Sequence, residues 1–460
     1  MHNHIPESSD EYQNILLPAY ASRALSESIP KYYLPNTSLP SDVAYRIISD
    51  ELMIEGNAHM NLATFVTTWM EPIATQLMKE TLEKNLIDKD EYPQSAEIEK
   101  RCVNIIARLW NAPKEASAIG TSTVGSSEAC MLAGLALKTI WKNNRRVKNL
   151  AYDRPNLVLG INAQICWEKF CKYWDVEPRF VALEEGRYHI DPVLAAELCD
   201  ENTIGVIGIL GSTLDGSYEP INELCNQLDK LQLEKELDIP IHVDAASGGF
   251  VAPFLNPELI WDFRLLRVKS INASGHKYGL VYPGVGWVVW RHPADLPEEL
   301  IFNVNYLGGD MPTFTLNFSR PGNAIIVQYY NFLRLGKEGY TRIHQSSLNT
   351  ANYLANKIEE TGQFIVLNQP NNLPVFAFKL KDSSHWNLFQ LSDSLRKHGW
   401  QVPAYKLPKN LEETTVMRIV VKENLSRDMA EKLLTDLKKE MKTLSKITRH
   451  YSEDNSSFHH

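Results

Sequence analysis

Between residues 59 and 340 short apolar runs alternate with longer amphipathic stretches, and this alternation restricts the chain to few architectures. Residues 157–160, 204–210, 241–244, 270–273 and 286–290 read as strands, with helical periodicity at 167–174 and 221–237 between some of them. Strand and helix in turn argue for an α/β fold with a mostly parallel sheet, because parallel neighbours need a crossover that a helix supplies. Open sheets of that kind bind ligands at the carboxyl ends of their strands. After a helical stretch at 339–360 the pattern becomes strand 375–380, helix 386–398, strand 416–421 and helix 427–444, a second and smaller α+β domain. The expected organisation is therefore an arm at 1–57, a large domain at 58–340, a small C-terminal domain at 341–450 and a frayed polar tail at 451–460. The arm mixes short helical stretches with Pro18, Pro30, Pro35 and Pro40, which suits wrapping around a neighbouring subunit.

Two residues stand where such a sheet would present chemistry. Asp244 closes the apolar run 239–243 and is followed by Ala245, Ala246, Ser247, Gly248 and Gly249; Lys277 follows Ala273, Ser274, Gly275 and His276. A lysine that can condense with an aldehyde and a carboxylate that keeps a pyridine nitrogen protonated are what pyridoxal phosphate requires of a protein. A surface lysine or a turn-capping aspartate would explain either residue alone, but not the small residues that leave room for a flat ring and a phosphate. Upstream, Gly125, Ser126, Ser127 and Glu128 open the amphipathic run 129–141, gathering hydroxyls and unpaired N–H groups at a helix start that can hold phosphate. That motif alone is ordinary helix punctuation; beside Asp244 and Lys277 it completes a cofactor constellation.

Charge and composition exclude other classes. The net charge of -9, from 47 basic and 56 acidic residues, and the lack of a long basic run before the C-terminal helix argue against a nucleic-acid partner. Cys102, Cys130, Cys166, Cys171, Cys199 and Cys225 show no metal-binding or redox spacing, so no metal is expected and the thiols read as reduced, in the cytoplasm. Residues 1–30 lack the apolar stretch of a secretory signal, and no run of about 18 apolar residues is present to span a membrane.

Longer stretches carry a resemblance. GNAHMNLATFVTTW at 56–69, IDKDEYPQS at 87–95, GSSEACM at 125–131, QICW at 164–167, WDF at 261–263, RVKS at 267–270, His276 to Tyr278, and YLGGDMPTFTLNFSRP at 306–321 closely resemble the glutamate decarboxylases, above all the bacterial ones. The likeness runs from about residue 40 to 450. It implies fold type I of the pyridoxal phosphate enzymes, a large domain with a mostly parallel seven-stranded sheet, and α-decarboxylation of L-glutamate to 4-aminobutyrate with uptake of a proton, plausible in acid resistance. Carried onto matching positions, it makes Lys277 the cofactor lysine and sets Asp244 against the pyridine nitrogen. Ser126, Ser127, Ser274 and His276 would hold the phosphate, with Ser319 from a neighbouring subunit; Gln164, Thr213 and Ala246 would line the ring. Thr64, Phe65, Asn85 and Asp88 would form the pocket for the substrate side chain, partly across the interface, and Arg418 would meet a substrate carboxylate.

The resemblance further implies a homodimer or a larger assembly such as a hexamer. If Asp88 faces the substrate's distal carboxylate, one proton must be retained between them, so binding should favour acid pH. The tail resembles a family tail whose histidine blocks the cofactor at neutral pH, with His460 as the matching residue. Plant members carry a basic, tryptophan-bearing tail for calmodulin; here residues 438–450 are basic but no tryptophan follows Trp400, so calmodulin is not an expected partner. Two other functions remain open to a chain of this pattern: decarboxylation of an aromatic or sulfur-containing amino acid, and a non-catalytic scaffold.

Overall fold

Seven strands form the central sheet: β1 Ile119–Thr123, β2 Asn156–Gly160, β3 Glu177–Val181, β4 Thr203–Ile209, β5 Ile241–Asp244, β6 Val268–Ser274 and β7 Gly286–Trp290. Their order in space is β1-β7-β6-β5-β4-β2-β3. Strands β3, β2, β4, β5 and β6 run parallel, and β7 lies antiparallel to both β6 and β1. Every residue of β2, β4, β5 and β7 is buried, as befits strands covered by helices on both faces, and it is why these segments read as continuous apolar runs. The computed structural model describes residues 31–113, 119–304 and 311–446.

The elements that were not legible as strands have physical reasons. β1, with sequence IGTST, carries hydroxyls where an apolar run would be sought, and β3, with sequence EPRFV, is a half-exposed edge strand containing Pro178. Asn323–Glu359 is helical on both sides of Gly336, whose φ of 55° breaks the helical backbone; the stretch expected at 339–360 is the part after that break, and the part before it was not expected.

Beyond a short antiparallel pair, β8 Phe302–Val304 with β9 Met311–Thr313, the chain builds a second sheet. It comprises β10 Phe364–Val366, β11 Val375–Leu380, β12 Ala404–Lys406 and β13 Thr415–Val420, in the order β10-β11-β13-β12 with all neighbours antiparallel. The helices Leu388–Arg396 and Arg427–Leu444 pack on it around Phe376, Phe378, Leu391, Leu395, Trp400 and Leu433.

The chain separates into Met1–Asn57 and Ala58–His460, so both cores belong to one compact unit. Hydrogen bonds explain the union: Leu62 N donates to Gln401 O, Val420 N to Leu62 O, and Lys422 Nζ to Val66 O. Leu62 is itself part of the core of the second sheet. In the described part of the first unit, the helix Ser41–Leu52 is preceded by Pro40, and Lys31 pairs with Glu51 at 2.8 Å.

One close approach ties the sheet to the helix Ser126–Val147. A Cβ on Gly286 of β7 would stand 2.4 Å from Gly125 C and 2.7 Å from Ser126 N, backbone atoms that cannot swing aside. Gly286→Ala is therefore expected to destabilise the fold by about 1–3 kcal/mol, the usual cost of overpacking. Denaturant unfolding of wild type and variant checks this; an unchanged midpoint would show that the helix start moves freely on the sheet.

Candidate active site

The carboxyl ends of β2, β4 and β5 and the start of the helix Ser126–Val147 enclose a cavity of ≈ 220 Å³. Asp244, the last residue of β5, enters it with 5% of its surface exposed. An isolated carboxylate there would forfeit several kcal/mol of hydration, so its partners decide whether it can stay charged. They are numerous. Trp167 Nε1 donates to Oδ2 at 2.8 Å, Asn272 Nδ2 and Ala246 N donate to Oδ1 at 3.1 and 3.2 Å, and the Cys130 thiol lies 3.6 Å from Oδ2. Burial pushes the Cys130 thiol well up, which keeps its proton available for that contact.

Behind Asn272 stands His242. Its Nε2 meets Asn272 Oδ1 at 2.8 Å and its Nδ1 meets Ser270 Oγ at 2.7 Å. Because the Asn272 amide nitrogen is committed to Asp244, its oxygen must accept, which assigns the imidazole proton to Nε2. Burial holds His242 well below its ordinary pKa, so the ring stays neutral in this relay.

Lys277 lies in the turn after β6, half-buried at the cavity. Burial lowers the pKa of its amine, an effect that Asp244 partly offsets. The turn is pinned from the N-terminal side by Thr67, whose Oγ1 donates to Lys277 O at 2.6 Å and whose N donates to His276 O at 2.7 Å. Ser247 Oγ accepts from Lys277 Nζ at 3.3 Å, and the Phe65 ring centre is 5.2 Å from the same nitrogen.

The phosphate-type elements gather opposite Gly125. Ser126 and Ser127 line the cavity at the helix N-terminus, and Ser274 Oγ donates to Ser126 Oγ at 2.8 Å. His276 Nδ1 bonds Val285 O at 2.9 Å, and burial lowers the pKa of its ring. Glu128 braces the helix start: its Oε2 accepts from Val124 N at 2.8 Å and its Oε1 from Leu316 N at 3.0 Å.

Of the residues singled out from sequence, Ser126, Ser127, Gln164, Thr213, Asp244, Ala246, His276 and Lys277 line one cavity. Gln164 also caps the helix Ile165–Tyr173 through Oε1, which accepts from Cys166 N at 2.6 Å. Arg418, on β13, directs its guanidinium to the carbonyl oxygens of Thr213 and Ala63, and lies 5.1 Å from the Phe65 ring centre. It thus joins the second sheet to two walls of the site. Thr64 sits beside Phe65, with its hydroxyl accepting from Val66 N at 3.2 Å. Asn85, Asp88 and Ser319 are not among the lining residues; Asn85 Nδ2 reaches Ser319 Oγ at 3.4 Å, and Asp88 N donates to Asn85 O at 3.1 Å. His460 lies outside the described residues.

The sequence reading gave no role to Trp167, Asn272, Cys130, His242 or Ser247. Four of them were in view, since Trp167 closes the motif QICW, Cys130 lies in GSSEACM, His242 stands two residues before Asp244 and Ser247 three after it. Asn272 is announced only by register, being paired with Asp244 across β5 and β6.

The residues present suit pyridoxal phosphate. A carboxylate held by several hydrogen-bond donors, a half-buried amine with lowered pKa, and a hydroxyl-lined helix start converge on one cavity, and together they define a fold type I pyridoxal phosphate enzyme. Comparison agrees. Residues 35–381 match the pyridoxal-dependent decarboxylase conserved domain. The chain is 53% identical to glutamate decarboxylase 2 of Arabidopsis thaliana over 94% of its length and 88% of that protein's. It is 50% identical to glutamate decarboxylase beta of Listeria innocua, over 95% of both chains. The solved structure of Lactobacillus brevis glutamate decarboxylase superposes with a TM-score of 0.91 at 46% identity, covering 95% of this chain and 99% of that one. The chain belongs to the pyridoxal-dependent decarboxylase family.

The lowered pKa of Lys277 has a kinetic signature. Only the neutral amine attacks an aldehyde, so cofactor loading accelerates as pH rises through the amine's pKa and then levels off. For the cofactor-free protein, loading followed by absorbance is expected to reach its plateau below an ordinary lysine's 10.5. A rate still climbing at that pH would contradict the enclosure of the amine.

Proposed function

We propose that this chain catalyses α-decarboxylation of L-glutamate, giving 4-aminobutyrate and CO2 with uptake of one proton. The observation that carries the reading is the single cavity joining Lys277, Asp244 and the Ser126–Ser127 helix start, in a chain about half identical to curated glutamate decarboxylases from plants and bacteria. Pyridoxal phosphate, when bound, supplies an electron sink for the pair left by the departing CO2. Asp244 holds the ring-nitrogen proton, with Trp167 and Asn272 fixing its two oxygens. Ser126, Ser127, Ser274 and His276 hold the phosphate, and Gln164, Thr213 and Ala246 bound the ring. Lys277 would anchor the cofactor, and its amine, when free, would stay within the cavity beside Ser247.

Thr64 and Phe65 form the near wall of the substrate pocket, and Arg418 orients a substrate carboxylate or the walls that meet it. Asn85 and Asp88 complete the substrate pocket, and Ser319 the phosphate site, of a neighbouring subunit in a homodimer or larger assembly. Their grouping away from the cavity of their own chain supports that reading. No helix among the described residues is long and apolar enough to cross a membrane. All six cysteines are buried and free, which suits a cytoplasmic enzyme. Since each turnover takes up a proton, a role in acid resistance fits the chemistry.

The assay is direct. Purified protein with pyridoxal phosphate is expected to release CO2 and 4-aminobutyrate in equal amounts from L-glutamate, faster at mildly acid than at alkaline pH, and Lys277→Ala to release neither. Preference for an aromatic or sulfinic amino acid would reassign the substrate. Absence of CO2 from every amino acid, despite cofactor binding, would leave a scaffold.

A further inference from the structure

Ser247 has a buried hydroxyl that the chemistry above leaves without a task. It is 4% exposed, lines the cavity, and follows Asp244 by three positions on the same turn. Backbone hydrogen bonds from Gly248 N to Leu210 O at 2.9 Å and from Gly249 N to Ala245 O at 2.8 Å fix that turn against β4 and β5. A serine at this place would ordinarily cap the next helical turn, yet the turn Gly248–Phe250 takes no side-chain cap from it. Its Oγ meets Lys277 Nζ instead, at 3.3 Å.

The amine needs such a contact. A free lysine amine buried without a hydrogen bond is costly, and the oxygens of Asp244 are already engaged by Trp167, Asn272 and Ala246. Phe65 offers a ring face to Nζ but no directional hydrogen bond.

We propose that Ser247 is a positioning residue whose hydroxyl holds the displaced amine of Lys277 where Nζ delivers a proton to the substrate carbon that has lost CO2. This rests on the decarboxylase reading above. In the step, an N–H bond of the Lys277 ammonium breaks while a C–H bond forms from the electron pair left by the carboxylate, and Lys277 remains as a neutral amine. Proton uptake from solvent balances each turnover. Bound pyridoxal phosphate would offer a second carbon able to take that proton, and the hold of Ser247 on Lys277 would keep Nζ at the substrate carbon instead. Protonation at the second carbon would lead, with one water, to 4-oxobutanoate and pyridoxamine phosphate, the substrate nitrogen being left on the cofactor and water supplying the aldehyde oxygen. No external oxidant is required, because the cofactor is reduced as the amine carbon is oxidised.

The partition between these products reads the position of the amine, which a purely structural serine would not alter. Full-length holoenzyme, as wild type, Ser247→Ala, Ser247→Thr and Ser247→Cys, is given L-glutamate, and CO2, 4-aminobutyrate and 4-oxobutanoate are measured. The ratio of 4-oxobutanoate to CO2 is expected to rise about tenfold in Ser247→Ala, as for loss of one hydrogen bond to a charged group. Ser247→Thr should keep the wild-type ratio and Ser247→Cys should fall between. An unchanged ratio in Ser247→Ala, or in Ser247→Cys should the alanine variant not fold, overturns the role of Ser247; so does a raised ratio in Ser247→Thr with its hydroxyl intact. No CO2 from the wild type on L-glutamate would overturn the functional reading itself, a result distinct from these.

Discussion

A carboxylate and an amine share one enclosed cavity, and the surrounding structure is arranged around making that tolerable. Removing an ion from water costs several kcal/mol, whereas one hydrogen bond to a charged group returns about 1.5–3 kcal/mol, so Asp244 needs several good partners rather than one. The sheet provides them. Asn272 comes from the neighbouring strand at the paired position, Trp167 from the helix after β2, and Ala246 from the turn that Asp244 itself begins. The His242 and Ser270 relay then fixes Asn272, so the orientation of the carboxylate is set two residues deep.

Lys277 is handled differently. Burial lowers the amine's pKa, which favours the neutral nucleophile, and hydrogen bonds from the Thr67 hydroxyl and N–H fix the turn that carries it. Those bonds come from the segment between Leu62, which belongs to the second core, and Met70, which belongs to the first. The active-site turn is therefore sensitive to how the two cores are joined, and Arg418 adds a second link at Thr213 and Ala63. Both cores accordingly lie within the one compact unit Ala58–His460.

Much of this is legible in the sequence. The central strands are buried on both faces and so read as apolar runs, and the small residues around Asp244 and Lys277 mark a place where a ring and a phosphate approach backbone. What escaped notice did so for identifiable reasons. β1 is rich in hydroxyls and β3 is a polar edge, so neither shows the periodicity of a buried strand. Asn272 and Ser247 act only through spatial register, and nothing in their local sequence separates them from ordinary polar residues of a strand end or turn. Asn85, Asp88 and Ser319 came from resemblance, and their place beside one another but off the cavity is a fact of tertiary structure that spacing could not supply.

The central claim is that Lys277, among 460 residues, is the cofactor's covalent anchor. Borohydride reduction of the protein loaded with pyridoxal phosphate, followed by peptide mapping, tests it directly. The account predicts one phosphopyridoxyl group per chain, on Lys277. A stoichiometric label on any other lysine, or none in protein that has bound the cofactor, would contradict it.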